Sequence, residues 1–317
     1  MSLVKQMHNA LTVDVEDYFH VTAFERYVNR ERWDDYPLRV NENTLRILDI
    51  MDEFSVKATF FVLGWVADTV PSLVRRIYEK GHEIACHGYG HQLIYRIGPE
   101  RFREDVRRSK LLLEDICGDK VNGYRAPSYS ITKESLWAFD VLAEEGFLYD
   151  SSIFPIVHDI YGLPNAKRFP HEVYSKSGVI KEFPMSTLQI SLSRKKICIP
   201  VAGGGYLRLF PLWFIKKAIK GINTAEGQPA VLYFHPWEID GKQPRIKAGL
   251  KSRFRHYLNI GKTAGRVKAL LSSFKFYSMA DVLGITAVIP AKAGIQVFQC
   301  GMDPRVKPED DVPRLLM

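Results

Sequence analysis

The chain has 317 residues and a mass of 36.3 kDa, and 46% of its residues are hydrophobic while 25% are charged. This balance excludes an intrinsically disordered protein, and the length fits one large domain or two small ones. The net charge of +8 and the isoelectric point near 9.2 raise the question of a nucleic-acid partner, whereas the absence of any run of about 18 apolar residues excludes a transmembrane helix.

Strand and helix signals alternate along the chain from residue 10 onward. Apolar runs predict strands, and apolar residues at helical spacing between Asn or Pro starts and Gly ends predict helices. In chain order we predict a strand at 10–15, a helix from 41, a strand at 58–63, a helix at 71–81, a strand at 82–86, a helix at 99–118, a strand at 121–125, a helix at 135–145, strands at 178–183 and 230–234, a basic helical region at 246–271, and a strand with a short helical end at 276–283. Residues 159–177 and 203–205 are expected to be loops. The alternation predicts a parallel α/β architecture.

The two ends of the chain differ from this alternating region. Residues 1–9 form a leader without the apolar segment of a secretory signal, so we expect a cytoplasmic protein. Residues 285–317 are rich in Pro, Lys and Asp and predict a disordered tail. The four cysteines, at positions 86, 117, 198 and 300, lack metal-ligand spacing and are expected to be reduced. One folded domain is therefore expected over residues 10–284.

Ionisable residues lie at the carboxyl ends of five apolar runs, which are four of the strands above and the short run Phe147-Leu148-Tyr149. They are Asp14, Glu16 and Asp17 after the first strand, and His87, His91, Arg125, Asp150 and His235 after later ones. In an α/β barrel these strand ends converge on one face, which holds the active site. Their coincidence on five strands predicts an enzyme.

Two of these residues have the spacing of metal ligands. His87 and His91 are four residues apart, and the glycines between them indicate a tight turn. A third ligand is usually a carboxylate, and the acidic string at residues 14–17 can supply it. Two His and one carboxylate suit catalytic Zn²⁺, with Co²⁺, Fe²⁺ or Mn²⁺ as alternatives. A second acid of the string could take a proton from water, although a solvated acidic loop or a helix N-terminus is the other interpretation.

Five motifs occur in the order that is typical of the polysaccharide deacetylases, which form carbohydrate esterase family four. They are Thr12-Val13-Asp14, His87-x-x-x-His91, Arg125-Ala126-Pro127-Ser128-Tyr129, Asp150-Ser151-Ser152 and Leu232-Tyr233-Phe234-His235. The resemblance covers roughly residues 10 to 284 and implies a distorted (β/α) barrel of about seven parallel strands. The strings at 12–24, 203–211 and 234–240 resemble a subfamily of exopolysaccharide loci linked to exosortase sorting.

The resemblance also implies a catalytic role for individual residues. Asp14 matches the catalytic base, Arg125 the residue that orients this base, and His235 the general acid. Leu232 matches a residue that lines the acetyl pocket, and the backbone N–H of Tyr129 matches an oxyanion donor. Pro127 and Trp237 are further substrate-binding candidates, and Trp237 either stacks on a sugar ring or packs in the core.

The metal ligands implied by the resemblance are His87, His91 and one acid. By analogy with members that carry Asp-x-Asp in the first motif, Glu16 is the carboxylate ligand and Asp17 is the alternative. Gly88 stands where the family usually has a Ser or Thr that supports the ligand loop. This departure bears on metal affinity, because groups that orient the ligands tune the metal.

These observations predict a metal-dependent hydrolase that removes N-acetyl groups from N-acetylhexosamine units of a polysaccharide or its precursor, in exopolysaccharide biosynthesis. The alternatives are a hydrolase of small cyclic amides with the same fold and a sugar-binding protein whose catalytic site has decayed. Acetate release from N-acetylated glucosamine oligomers, ring opening of a cyclic amide and the metal content distinguish the three.

The positive charge is concentrated in one segment. Residues 242–275 contain ten Lys or Arg and no Asp or Glu, which exceeds the whole net charge of +8. A solvated helical face explains such a run, and contact with an anionic glycan, a lipid-linked precursor or a membrane surface is the alternative. No helix-turn-helix, zinc-finger or RNA-binding motif accompanies it, so we do not expect a nucleic-acid partner.

Overall fold

A computed structural model describes residues 7–192 and 195–285 of the chain. The strands are β1 (His8–Val15), β2 (Thr59–Val62), β3 (Glu83–Cys86), β4 (Gly123–Tyr124), β5 (Tyr149–Asp150), β6 (His171–Tyr174), β7 (Val179–Glu182), β8 (Thr187–Leu192), β9 (Lys195–Pro200), β10 (Val231–Phe234) and β11 (Lys275–Tyr277). The helices are α1 (Val40–Glu53), α2 (Gly64–Thr69), α3 (Pro71–Glu79), α4 (Ile94–Cys117), α5 (Ala138–Glu144), α6 (Gly204–Leu209), α7 (Leu212–Thr224), α8 (Leu250–Tyr257), α9 (Thr263–Leu271) and α10 (Met279–Leu283). Residues 1–6 of the predicted leader and 286–317 of the predicted tail lie outside the described residues.

Most strands form one curled sheet with the order β10-β1-β2-β3-β4-β5-β7-β6, and β11 pairs with β1. Every pairing in this sheet is parallel except that of β6 with β7. Strands β8 and β9 form a separate antiparallel hairpin. The predicted distorted barrel of parallel strands is thus confirmed. It is a half-barrel, because no pairing joins its end strands β10 and β6 within the described ranges.

Side-chain alternation along the strands separates the outside of the half-barrel from its inside. Leu11, Val13 and Val15 of β1 belong to the large core that the helices cover, whereas Ala10 belongs to a smaller cluster on the opposite face. Because successive side chains of a strand point to opposite faces, Asp14 shares the inner face with Ala10. The last inward side chain of β1 is therefore a carboxylate in a buried position, 2% exposed.

Several elements of the second half of the chain differ from the sequence prediction. The basic region at 246–271 is divided into α8 and α9, with Asn259 in the left-handed region (φ 52°) between them. The segment at 159–177 contains the edge strand β6, and residues 204–205 begin α6, so neither is only a loop. Helix α7 was not predicted, although its buried side chains at 215, 218, 219 and 222 have helical spacing.

No helix among the described residues combines the length and the apolar character that membrane crossing requires.

Over the same ranges Cys86, Cys117 and Cys198 are free thiols.

Candidate active site

The carboxylate of Asp14 lies at the carboxyl end of β1 and is paired with a buried arginine. Arg125 Nη1 donates to Asp14 Oδ1 over 2.6 Å, and the Arg125 side chain has no solvent exposure. The second oxygen, Oδ2, lies 3.5 Å from the hydroxyl of Tyr129 and 3.9 Å from Nε2 of His235. Asp14 therefore has one oxygen fixed by a charge-assisted hydrogen bond and the other directed towards its neighbours in the site.

The guanidinium of Arg125 is held by groups of β1, of β2 and of the residue that follows β5. Besides Asp14, it donates from Nη1 to Thr12 Oγ1 and from Nε and Nη2 to the carbonyl and hydroxyl oxygens of Ser151. Its plane also lies over the ring of Phe61, 4.1 Å from the centroid. Because so many partners fix it, Arg125 can hold Asp14 in one orientation.

Asp150, the acid at the end of β5, supports the backbone next to Arg125 through Ser152. Its two carboxylate oxygens accept from the hydroxyl and N–H of Ser152, and that hydroxyl oxygen accepts from the N–H of Ala126, next to Arg125. Burial raises the pKa of Asp150. Asp150 does not line the cavity described below, so its place at a strand end serves the loop that carries Arg125.

A group with the geometry of a metal site lies beside Asp14. Ligand atoms of Glu16, His87 and His91 lie within 4.8 Å of one another, and all three side chains are buried. Glu16 follows β1, whereas the two histidines follow β3, two strands away in the sheet order. The histidines lie in the loop after β3, with His91 in the left-handed region at φ 49°. The tight turn predicted from the flanking glycines places both imidazoles towards Glu16.

The chemistry of these three side chains fits a divalent metal ion. His91 Nε2 lies 2.7 Å from Glu16 Oε2, yet this buried oxygen has no hydrogen-bond partner. A shared cation would satisfy both atoms. His87 Nδ1 lies 2.8 Å from the carbonyl oxygen of Arg125, and donation to this acceptor leaves Nε2 unprotonated. Burial lowers the pKa of His87 to about 4, so its imidazole is neutral, as metal binding requires.

Asp17, the other candidate carboxylate, is engaged elsewhere. Its Oδ2 accepts from the N–H groups of Arg39 and Val40, and its Oδ1 accepts from the N–H of Tyr18. Helix α1 begins at Val40, so Asp17 satisfies backbone donors at the first turn of this helix. The helix-terminus interpretation thus describes Asp17, whereas Glu16 is the acid that lies with His87 and His91.

Asp105 of α4 supports the histidine loop, and sequence reasoning missed it. Its carboxylate accepts from the N–H groups of Tyr89 and Gly90, over 2.7 and 3.1 Å. A Cβ on Gly88, which has φ +69°, would lie 2.7 Å from Asp105 Oδ2. Gly88 is therefore the residue that lets this carboxylate approach the loop. A Ser or Thr at position 88 was expected to support the loop that carries the two histidines. In this chain Asp105 of α4 supports that loop.

We expect Asp105→Asn to weaken metal binding by about tenfold, because its amide cannot accept from both N–H groups that hold the loop. Isothermal titration with Zn²⁺ measures the change. Asp115→Asn, at an exposed position of the same helix, is the matched control. Equal affinities of the two variants would show that the Asp105 carboxylate does not support the ligand loop.

His235 lies directly after β10 and begins the 3₁₀-helix Pro236–Ile239. Its Nδ1 is 2.7 Å from Oε1 of Glu238, which has no solvent exposure, and its Nε2 is 3.4 Å from Glu16 Oε1. The ring of Trp237 stacks on it at a centroid distance of 5.0 Å. The single turn of helix thus places a carboxylate beside one ring nitrogen and leaves the other facing Glu16 and Asp14.

The surrounding carboxylates favour the protonated form of His235. Burial alone lowers its pKa, but Glu16, Glu238 and Asp14 outweigh this effect and raise the pKa to about 9. A divalent cation beside Glu16 would compensate the charge of that carboxylate. With metal bound, Glu238 would therefore contribute a larger share of the stabilisation of the His235 imidazolium. An imidazolium so held can donate a proton from Nε2.

Three predicted substrate-binding residues do not present the expected groups to the cavity. Leu232 points outward into the core under the helices, because strand alternation turns Tyr233 and not Leu232 towards the site. The N–H of Tyr129 donates to the Ala126 carbonyl over 2.9 Å, so it is not free for an oxyanion. Pro127 is buried in the same turn and does not line the cavity.

Trp237 lines the site, but as a buried support. Only 4% of it is exposed, and its ring lies between His235 and the buried His256, which stacks on it at 4.1 Å. Its Nε1 donates to Glu16 Oε1 over 3.4 Å. These contacts favour the core-packing interpretation over stacking on a sugar ring.

Asp14, the Glu16–His87–His91 group and His235 open into one cavity of about 510 Å³. This volume lies in the range of small-ligand sites. Its inner end contains Asp14, Glu16, His87, His91 and His235. Its walls contain Tyr129, Tyr161, Tyr206 and Tyr233, and α8 forms part of its outer wall. The arrangement can polarise a carbonyl, accept a proton from water and donate one to a leaving group.

Comparisons with known proteins agree with this chemistry. Residues 32–143 match the family model described as polysaccharide deacetylase, and residues 151–284 match a domain of unknown function, DUF3473. Asp14 and Glu16 precede the first match, whereas His235 lies in the second.

Named relatives match over part of their length. A peptidoglycan deacetylase-like protein of Gibberella zeae is 33% identical over 136 residues, which is 42% of this chain and 39% of that protein. A peptidoglycan-N-acetylglucosamine deacetylase of Bacillus cereus is 34% identical over 98 residues, which is 31% of this chain and 36% of that protein. The chain thus spans less than half the length of these relatives.

A crystal structure shows the same fold over most of the chain. It is that of a Mycobacterium smegmatis protein provisionally named a polysaccharide deacetylase, with a TM-score of 0.58 and 21% identity. The alignment covers 90% of this chain and 91% of the other.

Proposed function

We propose that the chain is a polysaccharide deacetylase, a metal-dependent hydrolase that removes N-acetyl groups from N-acetylhexosamine units of a polysaccharide or its precursor, and the family model that matches residues 32–143 supports this. The observation that carries this proposal is the convergence of a carboxylate–arginine pair, a Glu–His–His group and a carboxylate-paired histidine in one cavity. Each of the three has a distinct task in amide hydrolysis.

The metal ion would be held by Glu16, His87 and His91, and two imidazoles with one carboxylate favour Zn²⁺, with Co²⁺, Fe²⁺ or Mn²⁺ as alternatives. A bound divalent ion polarises the acetamide carbonyl and lowers the pKa of water. Because three protein ligands leave a coordination position open, the donor set suits catalysis better than a purely structural role.

The residues around this group supply the proton transfers. Asp14 takes a proton from the water that attacks the acetamide carbon, and Arg125 keeps the carboxylate aimed at it. The C–N bond then breaks, and His235 gives a proton to the departing amine nitrogen, so that acetate and a free amino sugar result. The Tyr129 hydroxyl, 3.5 Å from Asp14 Oδ2, helps to fix the base.

We place this activity in exopolysaccharide biosynthesis, because the strings at 12–24, 203–211 and 234–240 resemble proteins of exopolysaccharide loci. The proposed partner is an N-acetylated glycan. The relatives from Gibberella zeae and Bacillus cereus are named for peptidoglycan, which makes glycan strands of that type a second substrate to test.

Acetate release from a panel of N-acetylated glycans, with metal analysis of the same sample, tests the proposal. We expect release from a glycan, loss of activity with a chelator and recovery with added Zn²⁺. Ring opening of a cyclic amide without glycan turnover would instead identify a small-molecule amidohydrolase. A metal-free protein that binds glycans without turnover would identify a decayed site.

We expect Glu238→Gln to lower kcat by about tenfold with little change in KM, because the neutral amide no longer stabilises the His235 imidazolium. Glu238 raises the pKa of His235, so its loss lowers that pKa and moves the alkaline limb of the pH–rate profile to lower pH. Rates measured across pH for both proteins check this sign. An unchanged alkaline limb would show that Glu238 has only a structural role.

A further inference from the structure

We propose that α8 forms a subsite for a negatively charged substituent of the glycan, next to the sugar that loses its acetyl group. This inference rests on the proposed function and deepens it by naming the substrate class. Its components are Phe254, Lys251 and Arg255, which all line the outer part of the cavity.

Helix α8 is fixed to the catalytic end of the cavity. His256 is buried, stacks on Trp237 at 4.1 Å and lies 2.6 Å from the amide oxygen of Gln243. The hydroxyl of Tyr257 accepts from the N–H of Ile246 over 2.8 Å. Since Trp237 in turn stacks on His235, the position of α8 relative to the general acid is determined by packed side chains.

The opposite face of α8 presents an aromatic ring and two cations to the cavity. Phe254 lines the cavity and is 62% exposed, so its ring is accessible to a ligand there. The Lys251 and Arg255 side chains are 73% and 45% exposed, and they are four residues apart, on one side of the helix. An aromatic ring can pack against the apolar face of a sugar, while the cations reach its acidic group.

The charges at this end of the cavity leave an excess of positive charge. Lys251 and Arg255 share one carboxylate, Asp159, at 3.7 and 3.9 Å, which is beyond hydrogen-bond distance. His158 Nδ1, 3.1 Å from Asp159, accepts from the N–H of Ile160, so this nitrogen adds no positive charge, and Asp159 balances at most one of the two cations. The carboxylates at the inner end face cations or imidazoles of their own, Asp14 facing Arg125, Glu16 facing His91, and Glu238 facing His235.

This placement favours an N-acetylated sugar that carries, or is linked to, a carboxylate or a phosphate. A solvated charged helix face would point its cations away from the cavity, whereas these two line it. Arg253, on the same helix, is exposed but does not line the cavity. The chain thus provides its own matched control.

The test compares binding of three probes to the Asp14→Asn protein, which is expected to bind substrate without turnover. The probes are a neutral N-acetylglucosamine oligomer, an oligomer of the same length that alternates N-acetylglucosamine with a uronic acid, and UDP-N-acetylglucosamine. Each is titrated at low and at high salt, with the Lys251→Gln/Arg255→Gln double variant and with Arg253→Gln alongside.

We expect an anionic probe to bind roughly tenfold more tightly than the neutral oligomer at low salt, and this preference to shrink at high salt. The double variant should lose the preference, whereas Arg253→Gln should retain it. Preference for the uronic-acid oligomer identifies a carboxylate, and preference for the nucleotide sugar identifies a phosphate. Equal affinity for neutral and anionic probes, or a preference that survives the double variant, overturns the inference. Because binding is measured apart from acetate release, failure of the deacetylase proposal is a separate outcome.

Discussion

Replacing Asp14 with Asn is expected to reduce kcat for acetate release by about 10³-fold while the metal content stays at the wild-type level. The carboxamide has nearly the same shape but cannot take a proton from water, and general-base catalysis typically contributes about 10²–10⁴ in rate. Asp14 lies beside Glu16, His87 and His91 but is not one of the three grouped ligands, so its loss should leave them in place.

The same substitution removes the countercharge of a fully buried arginine. Arg125 keeps its acceptors on Thr12 and Ser151, so we expect a lower free energy of unfolding but a folded protein. Thermal unfolding and metal analysis of the purified variant separate a lost base from a lost fold. Normal turnover by Asp14→Asn would show that another group is the base.

The residues that sequence reasoning brought together share one physical property. Each of these residues, Asp14, His87, Arg125 and His235, lies at or directly after the carboxyl end of a strand whose apolar run is visible in the sequence. Parallel strands place their carboxyl ends along one edge. Periodicity therefore carried the prediction of the site. Strand alternation also indicates that Tyr233, and not Leu232, faces the site, because Tyr233 is two residues before His235 and lies on the same face of the strand.

Other parts of the site depend on contacts that no local sequence pattern predicts. Asp105 reaches Tyr89 and Gly90 from a helix 15 or 16 residues further along the chain, and the absence of a Cβ on Gly88 makes room for it. Glu238 meets His235 because one turn of 3₁₀-helix starts at Pro236. The Pro was visible in the sequence, but the direction in which the short helix leaves the strand was not.

The outer wall of the cavity likewise depends on contacts that the sequence pattern did not predict. Composition located the positive charge in residues 242–275, but did not say whether these side chains faced water or a ligand. The break between α8 and α9 at Asn259 and the packing of His256 on Trp237 decide that Lys251 and Arg255 line the cavity. The stacking of His256 on Trp237, which are 19 residues apart in the chain, thus places the charges of Lys251 and Arg255 at the cavity.

The second large effect is expected from His87→Ala, which should lower the affinity for Zn²⁺ by more than about 100-fold, since changes that merely disturb a ligand's support already cost 10–100-fold. The imidazole is one of three grouped ligands, and its Nδ1 contact with the Arg125 carbonyl fixes the ring. Removing it leaves Glu16 and His91, a pair that holds a divalent ion poorly.

The measurement is the shift of the unfolding temperature on adding Zn²⁺, together with metal content after dialysis. Because a ligand stabilises the folded state in proportion to the logarithm of its concentration over Kd, the wild type should gain stability with each increment of Zn²⁺ and the variant should gain little. His171→Ala, on the edge strand β6 and outside the Glu16–His87–His91 group, is the matched control and should respond as the wild type does. If His87→Ala kept its metal through dialysis and still gained stability with Zn²⁺, the ion would have to lie elsewhere, and the Glu–His–His group would lose its proposed role.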